Sequence, residues 1–256
     1  MPIERQEKEE IVLASQTKIE WTQMTWNPIT GCSKVSAGCK NCYAERLSKR
    51  LKAMGVLRYQ NGFKVTLHED ILEAPIKWKK SRLIFANSMS DLFHEDVPLD
   101  FVLSVFGVMA HCPQHIFQIL TKRSSQLVTL ATKINWPDNV WMGVTVEDED
   151  AVYRVHDLVT VPASVRFLSC EPLIGAINNL PLDGIHWVIV GGESGPKARP
   201  MKPEWVESIY SQCKKENVPF FFKQWGGVRK KQTGRLLNGQ KFDEMPRIYQ
   251  NYPLKA

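Results

Sequence analysis

The sequence has no long apolar run. Its best, Phe101 to Ala110 (FVLSVFGVMA), is ten residues, about half of what a bilayer span requires. No secretory leader is expected either, since MPIERQEKEEIVLASQ is charged where an apolar segment would stand. Repeats and low-complexity linkers are missing. Neither sign of charge dominates, with 33 Lys and Arg against 27 Asp and Glu, a net +6. That balance permits a nucleic-acid partner without requiring one. These absences point away from a membrane partner and a secreted protein, and toward a cytoplasmic one with reduced thiols. Clustered cysteines in that compartment read as metal or redox sites. One more thing is missing. Three of the six cysteines, Cys32, Cys39 and Cys42, cluster as C-x6-C-x2-C, one short of the four ligands of a structural zinc site.

What is present suits a globular α/β protein. The chain has 256 residues, 43% of them hydrophobic, a normal size for one α/β barrel. Short apolar runs read as strands at 20–29, 82–87, 115–120, 139–146, 164–169, 186–191 and 218–225. Most are continuous, as expected of strands covered on both faces of a parallel sheet. Amphipathic stretches lie between them. YAERLSKRLKAM puts Ala44, Leu47, Leu51 and Met54 on one stripe, and Pro98 and Pro203 open two others. The alternation predicts a parallel sheet with right-handed crossovers, a complete or partial (β/α) TIM-type barrel. The expected organisation is a polar N-terminal arm (1–16), a barrel (17–225) with a cysteine loop at 30–43, and a basic C-terminal arm or hairpin (226–256).

In such folds chemistry gathers at the C-terminal ends of the strands. Each strand here runs into polar residues: the cysteines; Asn87, Ser88, Ser90 and Asp91; Lys122 and Arg123; Thr145 and Glu147; Cys170 and Glu171; Gly191 to Glu193; and Lys223, Gln224 and Trp225. So many on one rim predict an active-site mouth.

C-x2-C brings two thiolates together, and a third six residues upstream reaches the same group through a loop freed by Gly31 and Gly38. Three readings are open: unrelated thiols, a zinc with a distant fourth ligand, or an iron–sulfur cluster with one iron free. His68, His94, His111, Cys112 and His115 are the fourth-ligand candidates, none at finger spacing. The cluster reading suits the site best.

A strand, three clustered cysteines and a helix at the front of a barrel resemble the radical S-adenosylmethionine (SAM) superfamily, whose usual spacing is C-x3-C-x2-C. GCKNCYAERLSKR resembles the motif of the spore photoproduct lyases within it, with Tyr43 beside the last cysteine. From about 17 to 246 the chain also resembles an uncharacterised three-cysteine family of phages and bacteria, a phage protein of unknown function. KIEWTQMTWNPITGCSKVSAGCKNCYAERL, SMSDLFHEDVP, ILTKR, VGGESGPKARPM and FFFKQWGG carry that likeness.

The superfamily resemblance implies a [4Fe–4S] cluster on Cys32, Cys39 and Cys42, an open iron that takes the methionine part of SAM, an electron donor, and reductive cleavage to a 5′-deoxyadenosyl radical. It implies ammonium contacts at Asn87, Ser88, Ser90 and Asp91. Lys122 or Arg123 would meet the carboxylate, and Thr145 and Glu147 the ribose. Glu193, in a later Gly-Gly-Glu, would line the mouth. Glu171 at a core edge needs a partner, and Cys170 is a candidate hydrogen-atom donor. Arg199, Lys223, Gln224 and Trp225, with the basic residues Lys197, Lys202, Arg229, Lys230, Lys231 and Arg235 and with Tyr249, suit a nucleotide or nucleic-acid substrate in repair or modification. Two alternatives stand: a nucleic-acid-binding protein with a structural zinc, and a barrel enzyme using Glu171 and Glu193 as acid and base.

Overall fold

The computed structural model describes residues 14–247. Ten strands form, eight of them in one sheet. They are β1 (Ala14–Gln16), β2 (Met24–Trp26), β3 (Ile29–Thr30), β4 (Thr66–Leu67), β5 (Leu83–Ala86), β6 (Ile116–Thr121), β7 (Val140–Thr145), β8 (Val165–Cys170), β9 (Trp187–Gly191) and β10 (Phe220–Gln224). The order in the large sheet is β1-β2-β5-β6-β7-β8-β9-β10, and β3 and β4 pair separately. Only β1 runs antiparallel in the large sheet; the other neighbours are parallel.

The crossovers are α1 (Tyr43–Ala53), α2 (Leu99–Ala110), α3 (Ser124–Ala131), α4 (Tyr153–Val159) and α5 (Pro203–Lys215). A short α6 (Lys230–Thr233) lies in the C-terminal segment. All seven expected strands are there, and helices form at the three stretches singled out in the sequence, as α1, α2 and α5. The sheet ends on β1 at one side and β10 at the other, so the barrel is partial. The stretch 1–13 and Tyr249 lie outside the described residues. Among the described residues, no helix is long and apolar enough to cross a membrane.

The sheet has two different faces because side chains alternate along each strand. Ile84, Phe117, Met142, Val144, Leu168, Cys170, Val188 and Val190 pack with Val102, Leu127, Val155 and Ile209 of the helices. The concave face carries Phe85, Trp141, Phe167, Trp187, Ile189 and Phe221, with Trp21 packed among them. Trp21 lies 4.7 Å from Phe85 between ring centres, Phe167 5.7 Å from Trp187, and Trp187 5.9 Å from Phe221. These aromatic residues floor the N-terminal half of the lumen. Above them the same columns turn polar. Thr145 pairs in register with Ser169, and Glu171 and Lys223 follow toward the rim.

Gly143 is paired with Phe167, and a Cβ there would meet three ring atoms of Phe167 at 2.5–2.7 Å. The missing side chain makes room for one ring of the floor. Gly143→Ala is therefore expected to cost about 1–3 kcal/mol of stability by overpacking. Phe167→Leu in the same chain should recover part of it. Urea unfolding checks both, and an unchanged midpoint for Gly143→Ala would contradict this account of the floor.

Candidate active site

The cysteine loop leaves β3 through Gly31, whose φ of +87° and close approach to the Lys64 carbonyl suit only glycine. Gly31 N–H donates to Met89 O at 3.0 Å and Cys32 N–H to Phe63 O at 3.1 Å. A single 3-10 turn, Ala37–Cys39, follows, and Cys42 stands just ahead of α1 without capping it through its side chain. All three cysteines are half-buried free thiols.

Four strand ends hold this loop. From the end of β6, Arg123 donates to Cys32 Sγ (3.3 Å), Ser33 O (3.2 Å), Ser33 Oγ (2.7 Å), Glu95 Oε2 (2.9 Å) and Asp91 Oδ2 (3.3 Å). Asp91, past β5, also accepts from Thr121 Oγ1 and the Lys122 amide. The Asp96 amide donates to His94 Nδ1, so the neutral ring carries its proton on Nε2 and donates it to Ser33 Oγ at 2.8 Å. Burial pushes the Cys32 thiol up to about 11 and Asp91 adds to the rise, while Arg123 opposes it.

From the end of β7, Glu147 accepts from Ser36 Oγ and from Arg154 of α4 at 2.6 Å. Both members of that ion pair are buried. Gly38 lies against the Glu147 carboxylate, where any Cβ would collide. From the end of β9, Glu193 accepts three bonds from Arg199, at 2.6, 2.8 and 3.0 Å, and one from Asn41 Nδ2 at 2.9 Å. Arg199 also donates to Ala37 O at 3.0 Å. Desolvation raises the Glu193 carboxyl, but the bonds from Arg199 and Asn41 outweigh it and hold the group below its usual range.

Polar groups line the rim beneath. Lys122 Nζ donates to Thr145 Oγ1 at 3.1 Å. Lys223 Nζ donates to both Glu171 oxygens at 2.8 Å, and Gln224 Nε2 donates to Glu171 Oε1 at 3.1 Å. The Tyr43 hydroxyl donates to Ser88 O, while Ser88 Oγ donates to Asn27 Oδ1 and Ser90 Oγ to Ile29 O. Asn87, 2% exposed with φ +61°, has neither side-chain polar atom hydrogen-bonded, and Gln224 Oε1 is likewise unpartnered.

Most of the expected rim residues therefore meet around one loop. Cys170 does not. It follows Leu168 onto the helix-facing side, fully buried among the core residues that include Cys213, and burial drives its thiol upward. Expected at the mouth, it is a core residue, because one step along a strand turns a side chain to the other face. Trp225 donates its indole N–H to Leu236 O and packs on the core. Arg199 serves the cysteine loop, where a substrate contact was expected. Of the candidate fourth zinc ligands, His94 reaches the cysteine loop, where its Nε2 bonds Ser33 Oγ at 2.8 Å; the others lie elsewhere, with His68 bonded to Thr30, His111 to the Gly107 carbonyl, His115 to the Pro75 carbonyl, and Cys112 in the core. Among the described residues no three His, Cys, Asp or Glu side chains gather around one metal position. Ser33, Ser36, Asn41, Glu95 and Arg154 belong to the site without having been singled out, although the first four fall inside the stretches that carry the family likeness.

A family model described as a protein of unknown function, DUF5131, matches residues 16–246. No curated protein matches the chain. Among solved structures it is similar to spore photoproduct lyase complexed with dinucleoside spore photoproduct, at 10% identity over 79% of this chain and 64% of that one, TM-score 0.47. It is similar also to a double mutant of that lyase with bound AdoMet and dinucleoside spore photoproduct, at 10% identity and the same coverages, TM-score 0.45. The chain thus spans 64% of the length of these two chains.

The Glu193 latch has a direct test. Glu193→Gln should raise amide hydrogen exchange at residues 36–42 about tenfold, the equivalent of about 1.4 kcal/mol of lost tethering. Because the folded carboxyl lies below its ordinary value of 4.5, the latch is complete above that pH and lost as pH falls through the folded value. The difference between wild type and Glu193→Gln should be full at pH 7 and close in acid. Equal exchange at pH 7 would show that the latch holds nothing.

Proposed function

The chain belongs to DUF5131, a family of proteins of unknown function, and for it we propose a radical SAM enzyme acting on a nucleotide or nucleic-acid substrate, in repair or modification. One observation carries this reading. The three-cysteine loop is carried on the C-terminal rim of a partial (β/α) barrel and tied to the ends of β5, β6, β7 and β9. A zinc finger needs no such rim, whereas a cluster that must meet a cofactor and a substrate does.

The donor set fits the group. Three soft thiols on one loop suit iron or zinc. The ligands of a [4Fe–4S] cube bind separate irons, so they need not gather at one point. Cys32, Cys39 and Cys42 would hold the cluster. When bound, it leaves one iron open to SAM and supplies the electron, delivered by a donor protein or reductant, that cleaves the cofactor.

The chain's own residues then orient and enclose. Arg123 sets a positive charge against Cys32 and favours its thiolate. Asn87 offers a free amide, and Ser88, Ser90 and Asp91 place polar groups beside it. Lys122 and Thr145 lie at the level of the polar lumen, suited to a carboxylate and a ribose. Tyr43 stands beside Cys42. Glu147 and Glu193 brace the loop from below and from the side. Glu171, held by Lys223 and Gln224, is the charged group placed to accept hydrogen bonds from cofactor or substrate. The aromatic floor keeps water from entering below. The cysteines are free thiols, which suits a reducing cytoplasm.

Anaerobically prepared protein should be brown, hold about four irons per chain, and release 5′-deoxyadenosine from SAM under dithionite. Alanine at Cys32, Cys39 or Cys42 should abolish both iron and cleavage. Glu171→Gln should keep the iron and slow cleavage by about 10- to 100-fold, the loss of a half-buried charged hydrogen-bond acceptor. A colourless protein retaining one zinc would sink the proposal.

A further inference from the structure

The outward face of α1 differs from the stripe read in the sequence. Ala44 and Leu51 are buried, but Leu47 is 37% exposed and Met54 65% exposed. They share that surface with Tyr43, Arg46 and Arg50, at the i, i+3, i+7 spacing of one helix face. Arg46 and Arg50 have no carboxylate partner among the described residues, and neither do Lys40 and Lys197.

These cations are neighbours. The Arg46 guanidinium occupies the space a side chain at Gly195 would take. Asn41, next to Lys40, donates to the Lys197 carbonyl at 2.9 Å. Lys197 itself is held at φ +64°, a left-handed backbone unusual for lysine. The nearby carboxylates are already engaged: Glu45 by Lys34 and Lys49, Glu193 by Arg199. Of the basic residues expected to form a C-terminal patch, Lys197 belongs to this group, whereas most of the others are paired. Lys223 meets Glu171, Lys230 meets Glu20 and Arg235 meets Asp243. Among the described residues Lys77, Lys79, Lys80 and Arg82 also lack a carboxylate partner, but they precede β5, at the N-terminal edge of the sheet; the free charge on the rim side, beside the cysteine loop, is that of Lys40, Arg46, Arg50 and Lys197.

We propose that Lys40, Arg46, Arg50 and Lys197 form a track for the phosphates of a single nucleic-acid strand passing the mouth, with the exposed apolar side chains of α1 facing its bases. Unpaired cations interleaved with an aromatic ring and aliphatic groups match the two needs of a single strand, phosphate neutralisation and base stacking. A free nucleotide would engage one or two of these charges. An acidic peptide would have no use for the apolar groups between them. This deepens the nucleotide reading above by naming a strand as the substrate's form, but strand binding needs no cluster.

The test is binding of a labelled single-stranded oligonucleotide, DNA and RNA in separate arms, to the full-length protein across a salt series. The triple variant Lys40→Gln, Arg46→Gln, Lys197→Asn removes three charges; Asn tolerates the left-handed backbone at 197. The slope of log affinity against log salt should flatten by about 2, and affinity at 0.1 M salt should fall about 100-fold, from ~0.7 per phosphate contact on a single strand. Its thermal midpoint should not move, since all three side chains are exposed. Arg46→Glu alone should also weaken binding. An unchanged slope in the triple variant would overturn the proposal. So would a mononucleotide or a poly-glutamate peptide competing as well as the strand. A zinc-holding protein that binds the strand would reject the radical reading and keep this one. A four-iron protein that does not bind would do the reverse.

Discussion

The geometry of the rim depends on one buried cation. Arg123 is 8% exposed, and a guanidinium cannot lose its charge to escape the cost of burial. It must be surrounded by acceptors, and the fold supplies them from two segments: Asp91 and Glu95 after β5, Ser33 and Cys32 in the cysteine loop. Asp91 in turn is fixed by Thr121 and the Lys122 amide at the end of β6. Satisfying Arg123 therefore fixes where Cys32 stands relative to two strands. The planar fork makes this directional in a way a lysine could not.

The second constraint is the alternation of strand side chains. Parallel strands covered on both faces place one column against helices and the next in the lumen. At the end of β8 this separates two adjacent residues completely. Cys170 is core, and Glu171, one step on, meets Lys223 and Gln224 from β10. The same rule stacks an aromatic floor below a polar rim. Acidic, basic and amide groups can face each other there without water arriving from beneath, so each of their interactions is stronger than it would be at an open surface.

Which features were legible follows from which forces wrote them. The strands were plain because burial on both faces demands unbroken apolar runs, as in RLIFAN and HWVIVG. The rim was legible because each run ends abruptly in polar residues. Parity at the strand ends was not: whether Cys170 or Glu171 faces the lumen depends on register, which one residue reverses. Arg154 looked like any charged helix residue, and its ion pair with Glu147 exists only across the α4–β7 contact. The stripe on α1 was half right, since periodicity finds an amphipathic face but not how much of it a neighbour covers. The basic C-terminal residues misled for a related reason, as charge counted along the chain ignores the carboxylates that meet it in space.

The six residues between Cys32 and Cys39 are where these constraints converge. Ser33 takes Arg123 and His94, Ser36 donates to Glu147, Ala37 offers its carbonyl to Arg199, and Gly38 has no side chain so that Glu147 can approach. A three-residue spacer would bring the first two thiols together but would lack the groups that reach the ends of β6, β7 and β9. The longer spacer places both thiols on a loop anchored to three separate strands, so its position is set by the sheet. In a loop of this kind the protein's own charges fix the positions of the thiols in advance of anything they bind.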